Sequence, residues 1–194
     1  MNGIGDTQQQ VIRTTVWSGF LGPNDIEGLI EDLRLEAPEL EEAALWAAVN
    51  AEMAEKAKAE RGWPATTDCD RLDAAFEALP GARVLALHNA GFTLADGHAD
   101  AAAALAQEPP GTYVGYCFYH AQDIARALAA EPLLIAFDHV AGAVPDKIAV
   151  GARVVAELKA SGLTPVWPGD PARRIALEGF TWRRRFVEGE ALWG

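Results

Sequence analysis

The sequence predicts an α/β (or α+β) fold, in which a single mixed-sheet sandwich of about five strands follows an N-terminal helical region. Half of the 194 residues are hydrophobic, as is typical of a globular chain. The first third of the chain shows only helical periodicity, whereas short β-rich segments alternate with helical ones in the remainder. We therefore expect a helical region over residues 1–64 that packs on a mixed α/β domain over residues 65–194.

Apolar spacing predicts three helices in the N-terminal region. Residues 7–20 fit a short helix, although their β-branched side chains leave a strand open. A second helix begins after Gly22-Pro23, with Asn24 as its N-cap and Glu27 as the capping-box partner. Its apolar stripe is formed by Ile26, Leu29, Ile30 and Leu33. Residues 39–61 predict a long Ala-rich helix. Its expected core stripe is formed by Leu40, Ala44, Ala47, Ala51 and Ala54.

Alternating β-rich and helical segments predict the main domain. The strands are predicted at residues 83–89, 113–119, 133–140, 163–167 and 174–186. The helices are predicted at a segment capped by Asp68 or Asp70 and at residues 100–107, 122–130 and 145–161. The first helix should bury Leu72, Phe76 and Leu79, and the last should bury Ile148, Ala152, Val155 and Leu158. We expect the last two strands to form a hairpin, which makes the sheet mixed.

Composition and charge exclude several classes of protein. Acids outnumber bases by 28 to 16, and this excess argues against a nucleic-acid partner, which would need clustered Lys and Arg. There is no apolar run of about 18 residues and no signal-like N-terminus, which argues against a membrane span and against export. The two cysteines, Cys69 and Cys117, are consistent with a reducing cytoplasm. We therefore expect a cytoplasmic protein.

The charge is unevenly distributed along the chain. Residues 1–144 carry a net charge of −14, whereas residues 145–194 carry +2. Two arginine clusters supply the positive charge, Arg173-Arg174 and Arg183-Arg184-Arg185. The triplet, flanked by Trp182 and Phe186, is a candidate anion-binding site, while the alternative is that these arginines pair with the acidic helices. Without such pairing, the acidic surface suits a basic protein partner such as a nuclease or toxin.

No specific catalytic or cofactor signature is present. The chain lacks GxGxxG, Walker A, HExxH and GxSxG motifs, so the sequence predicts no cofactor and leaves enzymatic activity undecided. Cys117 and His120 resemble half of a thiol–imidazole or zinc site. On one continuous strand, however, they would point to opposite faces, which favours a buried structural cysteine. Cys69 lies near a helix start, where a thiol pKa can fall, but no other feature supports it as a nucleophile.

Histidines and carboxylates gather after the predicted strands. His88, His120 and His139 lie at or just beyond strand ends, and ligands bind at this edge in parallel α/β sheets. Neighbouring polar residues are Asn89, Thr93, Asp96, Asp123 and Asp138. The candidate catalytic residues are His88 or His120 as general acid/base and Asp96 or Asp123 as its orienting group. A metal held by the histidines with Asp96 or Asp123 is not established by spacing alone, and we predict none. The alternative is that Thr93, Asp96 and Asp123 simply cap helices.

Two longer segments resemble a known family. They are HNAGFTLADG from His88 and GYCFYHAQD from Gly115, and LIAF, WPGDP and WRRR at Leu134, Trp167 and Trp182 fit the same pattern. The combination is similar to the bacterial domain of unknown function 6891 family over most of residues 10–187. The resemblance implies a bacterial source and carries no established activity or catalytic residue.

Three functional hypotheses follow from the sequence. The first is a protein-binding or regulatory module with an acidic surface, suggested by the charge, the six tryptophans and the missing catalytic signature. The second is a small-molecule or metal-binding enzyme that uses the strand-end His/Asp cluster. The third is a homodimer formed through the Ala-rich helix.

Overall fold

The computed structural model describes residues 4–21 and 23–186, and the chain divides into two compact units. One unit comprises Met1–Ala65 and Arg183–Gly194, and the other comprises Thr66–Trp182. Residues 183–186, which the sequence placed with the sheet, thus group with the helices. Across the described residues there are seven α-helices and a five-stranded mixed sheet, which confirms the predicted fold class.

The helical unit contains α1 (Asp6–Ser18), α2 (Pro23–Glu36) and α3 (Glu42–Glu60). Its core includes Ile12, Val16, Ile26, Ile30, Leu33, Leu45 and Val49. Glu52 of α3 joins α1 to α3, because it accepts hydrogen bonds from Gln9, Arg13 and Trp17. The predicted stripe of α2 is confirmed. Asn24 lies inside the first turn of α2, because the helix begins at Pro23, and its side chain lies outside the described part.

The core face predicted for α3 is wrong at three of its alanines, although Leu40, which precedes the helix, is buried as expected. Ala47, Ala51 and Ala54 are exposed, whereas Leu45 and Val49 are fully buried. The reason is physical: burying a large aliphatic side chain removes several times more apolar surface from water than burying a methyl group. The bulky residues therefore set the orientation of this helix. Dimerisation through its alanine face stays a prediction.

The second unit alternates helices and strands. It begins with α4 (Asp68–Ala78) and a 3₁₀ turn (Leu79–Ala82). The elements that follow are β1 (Val84–Leu87), α5 (Leu94–Gln107), β2 (Gly115–Phe118), α6 (Ala121–Leu128), β3 (Leu133–His139), α7 (Val144–Ala160), β4 (Pro165–Val166) and β5 (Ile175–Leu177). The strands are ordered β1-β2-β3-β5-β4, and β4 and β5 form the expected antiparallel hairpin.

Strand direction decides which polar residues share an edge of the sheet. Strands β1 and β2 are parallel, so His88 and His120 follow them at the same edge. Strand β3 runs antiparallel to β2, with His139 opposite Gly115 at the start of β2. The expectation that His139 joins the other two histidines is therefore wrong, because the pairing is parallel only between β1 and β2.

Glycines allow close packing on both faces of the sheet. Gly97 of α5 lies against the ring of Phe118, and a Cβ at this position would overlap that ring. On the other face, a Cβ at Gly115 or Gly151 would meet Val150 or Phe137. Helix α5 therefore covers the Phe118 face of β2, and α7 covers the opposite face. These contacts fix the positions of the loops that follow β1 and β2.

Several predicted details of this unit are wrong. Helix α5 begins at Leu94, six residues before the expected start, because Thr93 caps it. The N-cap of α4 is Thr67, and Asp70 is its capping-box partner. Helix α7 buries Val150, Gly151, Val154 and Leu158. Ile148 and Ala152 are exposed on the same helix. After β5, residues 181–186 form no strand.

Candidate functional site

The loops after β1 and β2 are joined at one edge of the sheet. The backbone N–H of Ala90 donates to the carbonyl of Tyr119 at 2.9 Å, and that of Ala121 donates to Gly91 at 3.1 Å. Asn89 and Gly91 have positive φ angles of 47° and 63°, a conformation that Asn and Gly tolerate best. A side chain at Gly91 would also meet Asp96. This edge therefore has a fixed backbone.

A histidine, an aspartate and an arginine meet at this edge. One Oδ of Asp123 lies 3.0 Å from Nε2 of His120, and Nη1 of Arg174 lies 2.9 Å from both carboxylate oxygens. The same Nη1 lies 3.1 Å from Nε2 of His120. The side chain of Asp123 is fully buried and that of His120 is 4% exposed, whereas that of Arg174 is 27% exposed. Arg174 is therefore the solvent-facing member of the cluster.

Sheet register explains how a distant arginine reaches this edge. Ile175 of β5 pairs with Ile135 of β3, which places Arg174 level with Ala136. Ala136 in turn pairs with Phe118, two residues before His120. The side chain of Arg174 needs only to cross one strand to reach the start of α6. Sequence reasoning noted Arg174 only as a source of positive charge, because nothing in the sequence reveals the β3–β5 pairing.

The two nitrogens of His120 have different surroundings. A proton on Nε2 can be donated to Asp123, and a protonated Nε2 cannot also accept a hydrogen bond from Arg174. Nδ1 is buried, and a backbone hydrogen bond with Phe92 acts to raise the pKa of the imidazole. A general base must face the proton that it removes. The geometry therefore supports His120 as a positioning residue, and its catalytic role stays a hypothesis.

Burial shifts the pKa values of His120 and Asp123 in opposite directions. It lowers the pKa of His120, although the charge of Asp123 partly opposes the shift. It raises the pKa of Asp123, although the guanidinium of Arg174 and the imidazole of His120 oppose that shift. Both effects favour the uncharged forms, because a buried charge loses its hydration. Arg174 is thus the group that stabilises a charged Asp123.

Three of the residues that the sequence singled out are helix caps. Thr93 and Asp96 form a capping box at the start of α5, in which Asp96 accepts from the Thr93 backbone at 2.9 Å. This hydrogen bond is the main reason that the pKa of Asp96 is lowered. Asp123 likewise accepts from the backbone N–H of His120 at 3.3 Å. Each carboxylate satisfies a helix N-terminus that would otherwise attract an anion.

His88 belongs to a second cluster at the same edge. Its Nδ1 lies 2.8 Å from the hydroxyl of Tyr119, and its Nε2 lies 3.7 Å from a carboxylate oxygen of Asp73 on α4. The imidazole also packs against Phe76, with ring centroids 4.6 Å apart. Asp73 and Tyr119 were not among the predicted site residues, because Asp73 lies on a helix away from the strand ends and Tyr119 was predicted to belong to the strand at residues 113–119.

The remaining histidines lie away from this edge. His98 of α5 lies 2.9 Å from the hydroxyl of Tyr116, and burial lowers its pKa. His139 accepts backbone hydrogen bonds from Ala141 and Gly142 through Nδ1. Both residues stabilise local structure, and neither contacts the His120 cluster in any described interaction.

The arginine triplet, the candidate anion site, lies in the helical unit. Arg184 is 7% exposed, and its guanidinium lies 4.5 Å from the ring centroid of Phe20. Arg185 donates to the carbonyl of Pro64 at 2.7 Å. These contacts engage two of the three guanidinium groups in packing. Anion binding by Arg183, Arg184 and Arg185 stays a prediction.

Neither cysteine is placed for reactivity. Cys69 and Cys117 are both buried. Burial raises the pKa of the Cys117 thiol well above its ordinary value, so this residue is protonated at neutral pH. The alternative of a buried, structural Cys117 is therefore supported.

No group of three or more His, Cys, Asp or Glu side chains in residues 4–21 and 23–186 could hold a metal ion. Over the same residues, no helix combines the length and the hydropathy that a membrane crossing requires.

Comparison with known families identifies the family of this chain. Residues 4–186 match the family described as a Domain of unknown function (DUF6891). The match covers nearly the whole chain, so the chain belongs to this family, and the resemblance seen in the sequence is confirmed. No curated protein and no solved structure matches the chain.

Proposed function

We propose that this member of the DUF6891 family is a protein-binding module of the bacterial cytoplasm that recognises a basic partner through one face of α2. The supporting observation is the composition of that face. Residues 23–42 contain eight acids and one base. We call Glu27, Glu31, Asp32, Leu35 and Glu36 the acidic α2 face.

The acidic α2 face follows from helix geometry. Ile26, Ile30 and Leu33 turn one side of α2 into the core. The opposite side carries Glu27, Glu31 and Leu35 at four-residue spacing, with Asp32 and Glu36 in the next row. All five are exposed, and Leu35 is 80% exposed. A large apolar side chain ringed by carboxylates is the arrangement expected of an interface with a cationic rim.

The charge of this face is not neutralised within the described structure. Arg34 is the one base of the segment, and it pairs with Glu42. Glu27, Glu31, Asp32 and Glu36 form no ion pair with any residue of the described part. Four adjacent carboxylates repel one another, and a basic partner would relieve that repulsion and associate quickly.

The strand-end residues support the same proposal indirectly. Asp96 and Asp123 cap helices, His120 is buried, and His139 lies at the opposite edge of the sheet. The polar residues that suggested an enzyme are thus largely engaged in the structure of the sheet unit. The acidic α2 face, by contrast, is exposed and forms no ion pair within the described structure.

Capture from lysate tests this proposal. The full chain is immobilised as wild type, as the variant E27Q/E31Q/D32N/E36Q, and as the control variant E77Q/D100N/E108Q/D146N. The two variants remove the same charge, but the control removes it from exposed positions of the sheet unit. We expect wild type and control to retain a basic protein at physiological salt, and the α2 variant to lose it.

Two results would overturn the proposal. One is retention of the same protein by the α2 variant. The other is the absence of any basic protein bound to wild type at low salt as well as at physiological salt.

A further inference from the structure

We infer that Arg174 binds the carboxylate of a small molecule at the strand-end edge, through Nε and Nη2. This inference concerns the sheet unit and is independent of the acidic α2 face. It rests on which donors of Arg174 are already used, how rigidly the side chain is held, and which charges surround it.

Only one nitrogen of Arg174 is engaged within the described residues. Nη1 donates to both oxygens of Asp123 and approaches His120. Nε and Nη2 make no hydrogen bond to any residue in the described part of the chain, and neither is a buried, unsatisfied atom. These nitrogens therefore reach solvent, in keeping with the 27% exposure of the side chain. Three N–H donors remain for a ligand.

The free edge of the guanidinium is held in place before a ligand arrives. Asp123, which anchors Nη1, is fully buried and is itself fixed by the backbone of His120 at the start of α6. His120 contacts the same nitrogen and is fixed by burial. An arginine that is ordered in the free protein loses less entropy on binding than a mobile surface arginine. The cluster around His120 thus serves to position Arg174.

The chemistry of the free edge selects a planar anion. Nε–H and Nη2–H of a guanidinium are parallel donors whose spacing matches the two oxygens of a carboxylate. Asp123 balances the charge of Arg174, and the exposed carboxylate of Asp96 lies close enough to His120 to act on its pKa. The surroundings therefore carry no net positive charge, which disfavours a dianion such as phosphate more than a singly charged carboxylate. A singly charged carboxylate, or the carboxylate of a zwitterion, fits best.

Titration with acetate, glycine and inorganic phosphate tests the inference, with sodium chloride holding the ionic strength constant. The first readout is the ¹H–¹⁵N signal of Arg174 Nε in the full chain. We expect a saturable shift with acetate and glycine, and at least a threefold weaker response to phosphate. The second readout is the thermal midpoint, with Arg174→Lys as the test variant. Lysine keeps a positive charge beside Asp123 but removes the two parallel donors.

Arg173→Gln is the matched control, because Arg173 is the neighbouring exposed arginine. We expect acetate to raise the thermal midpoint of wild type and Arg173→Gln equally, and to leave that of Arg174→Lys unchanged. Three results would each overturn the inference. Acetate could raise the thermal midpoint of Arg174→Lys as much as that of wild type, or could fail to raise that of Arg173→Gln as well as that of Arg174→Lys. The third is a shift of the Arg174 Nε signal that does not saturate. If Arg174→Lys does not fold, the wild-type signal alone decides.

Discussion

Replacing Asp123 by Asn should destabilise the sheet unit strongly, although the two side chains have nearly the same size. Asp123 is fully buried and receives hydrogen bonds from Arg174 and from the backbone of His120. The Asn side chain keeps the shape but removes the charge that balances Arg174. It also cannot accept through the atom that becomes an NH₂ group, so at least one of these hydrogen bonds is lost.

The size of the effect follows from the burial of the two partners. Breaking a buried ion pair by removing one charge costs about 3 to 5 kcal/mol. Because the Arg174 side chain is 27% exposed, water can partly rehydrate it, so we expect the lower limit of about 3 kcal/mol. With a urea m-value of about 2 kcal/mol/M, this loss lowers the unfolding midpoint by roughly 1.5 M.

Urea unfolding followed through the backbone amide signals of β2 and β3 measures this loss in the sheet unit itself. The double variant D123N/R174M is the control, because it removes both charges. Its cost should be smaller than the sum of the two single costs by about 2 kcal/mol, as expected for directly coupled residues. A cost below about 0.5 kcal/mol for Asp123→Asn, or additive single costs, would refute the role assigned to this cluster.

Three other predictions concern packing, capping and pH. Gly97→Ala should destabilise the chain by about 2 kcal/mol despite the higher helix propensity of Ala, because the new Cβ would overlap Phe118. Gly28→Ala on α2 should stabilise the chain by about 0.5 to 1 kcal/mol, because the space around Gly28 is open. Chemical denaturation measures both changes. Thr93→Ala should cost about 1 kcal/mol in the same assay, and a neutral result would contradict the capping box at α5. Because the folded protein lowers the pKa of His98, stability should fall as the pH drops below the ordinary histidine value near 6.5 and should level off below the folded pKa. Unfolding midpoints of His98→Gln should vary less with pH over this range, and an unchanged pH profile would count against the assignment.

The order and type of the elements could be predicted from the sequence, because apolar periodicity and turn residues act locally. Which faces of α3 and α7 are buried could not be predicted from the sequence. In each helix the prediction followed three- and four-residue spacing that included alanines, whereas the structure buries the larger side chains, such as Leu45 and Val154. Their burial depends on the surface that each helix meets, and that surface is not local in sequence.

The candidate site was predicted in part. Local sequence placed His88, His120, Asp96 and Asp123 after strands, and they do lie at one edge. The prediction for His139 was wrong, because parallel and antiparallel pairing of β3 give the same local pattern. Arg174 was missed for a related reason, since it reaches Asp123 only through the pairing of β5 with β3, across a separation of 51 residues.

The affinity of the captured basic protein for the purified full chain tests the proposed function most directly. Neutralising four exposed charges at about 0.5 kcal/mol each should weaken binding by about 2 kcal/mol, or roughly 30-fold in Kd. We predict this loss for E27Q/E31Q/D32N/E36Q, together with a shallower dependence of Kd on salt, and an unchanged Kd for E77Q/D100N/E108Q/D146N. Equal Kd values for the two variants would contradict recognition through the acidic α2 face.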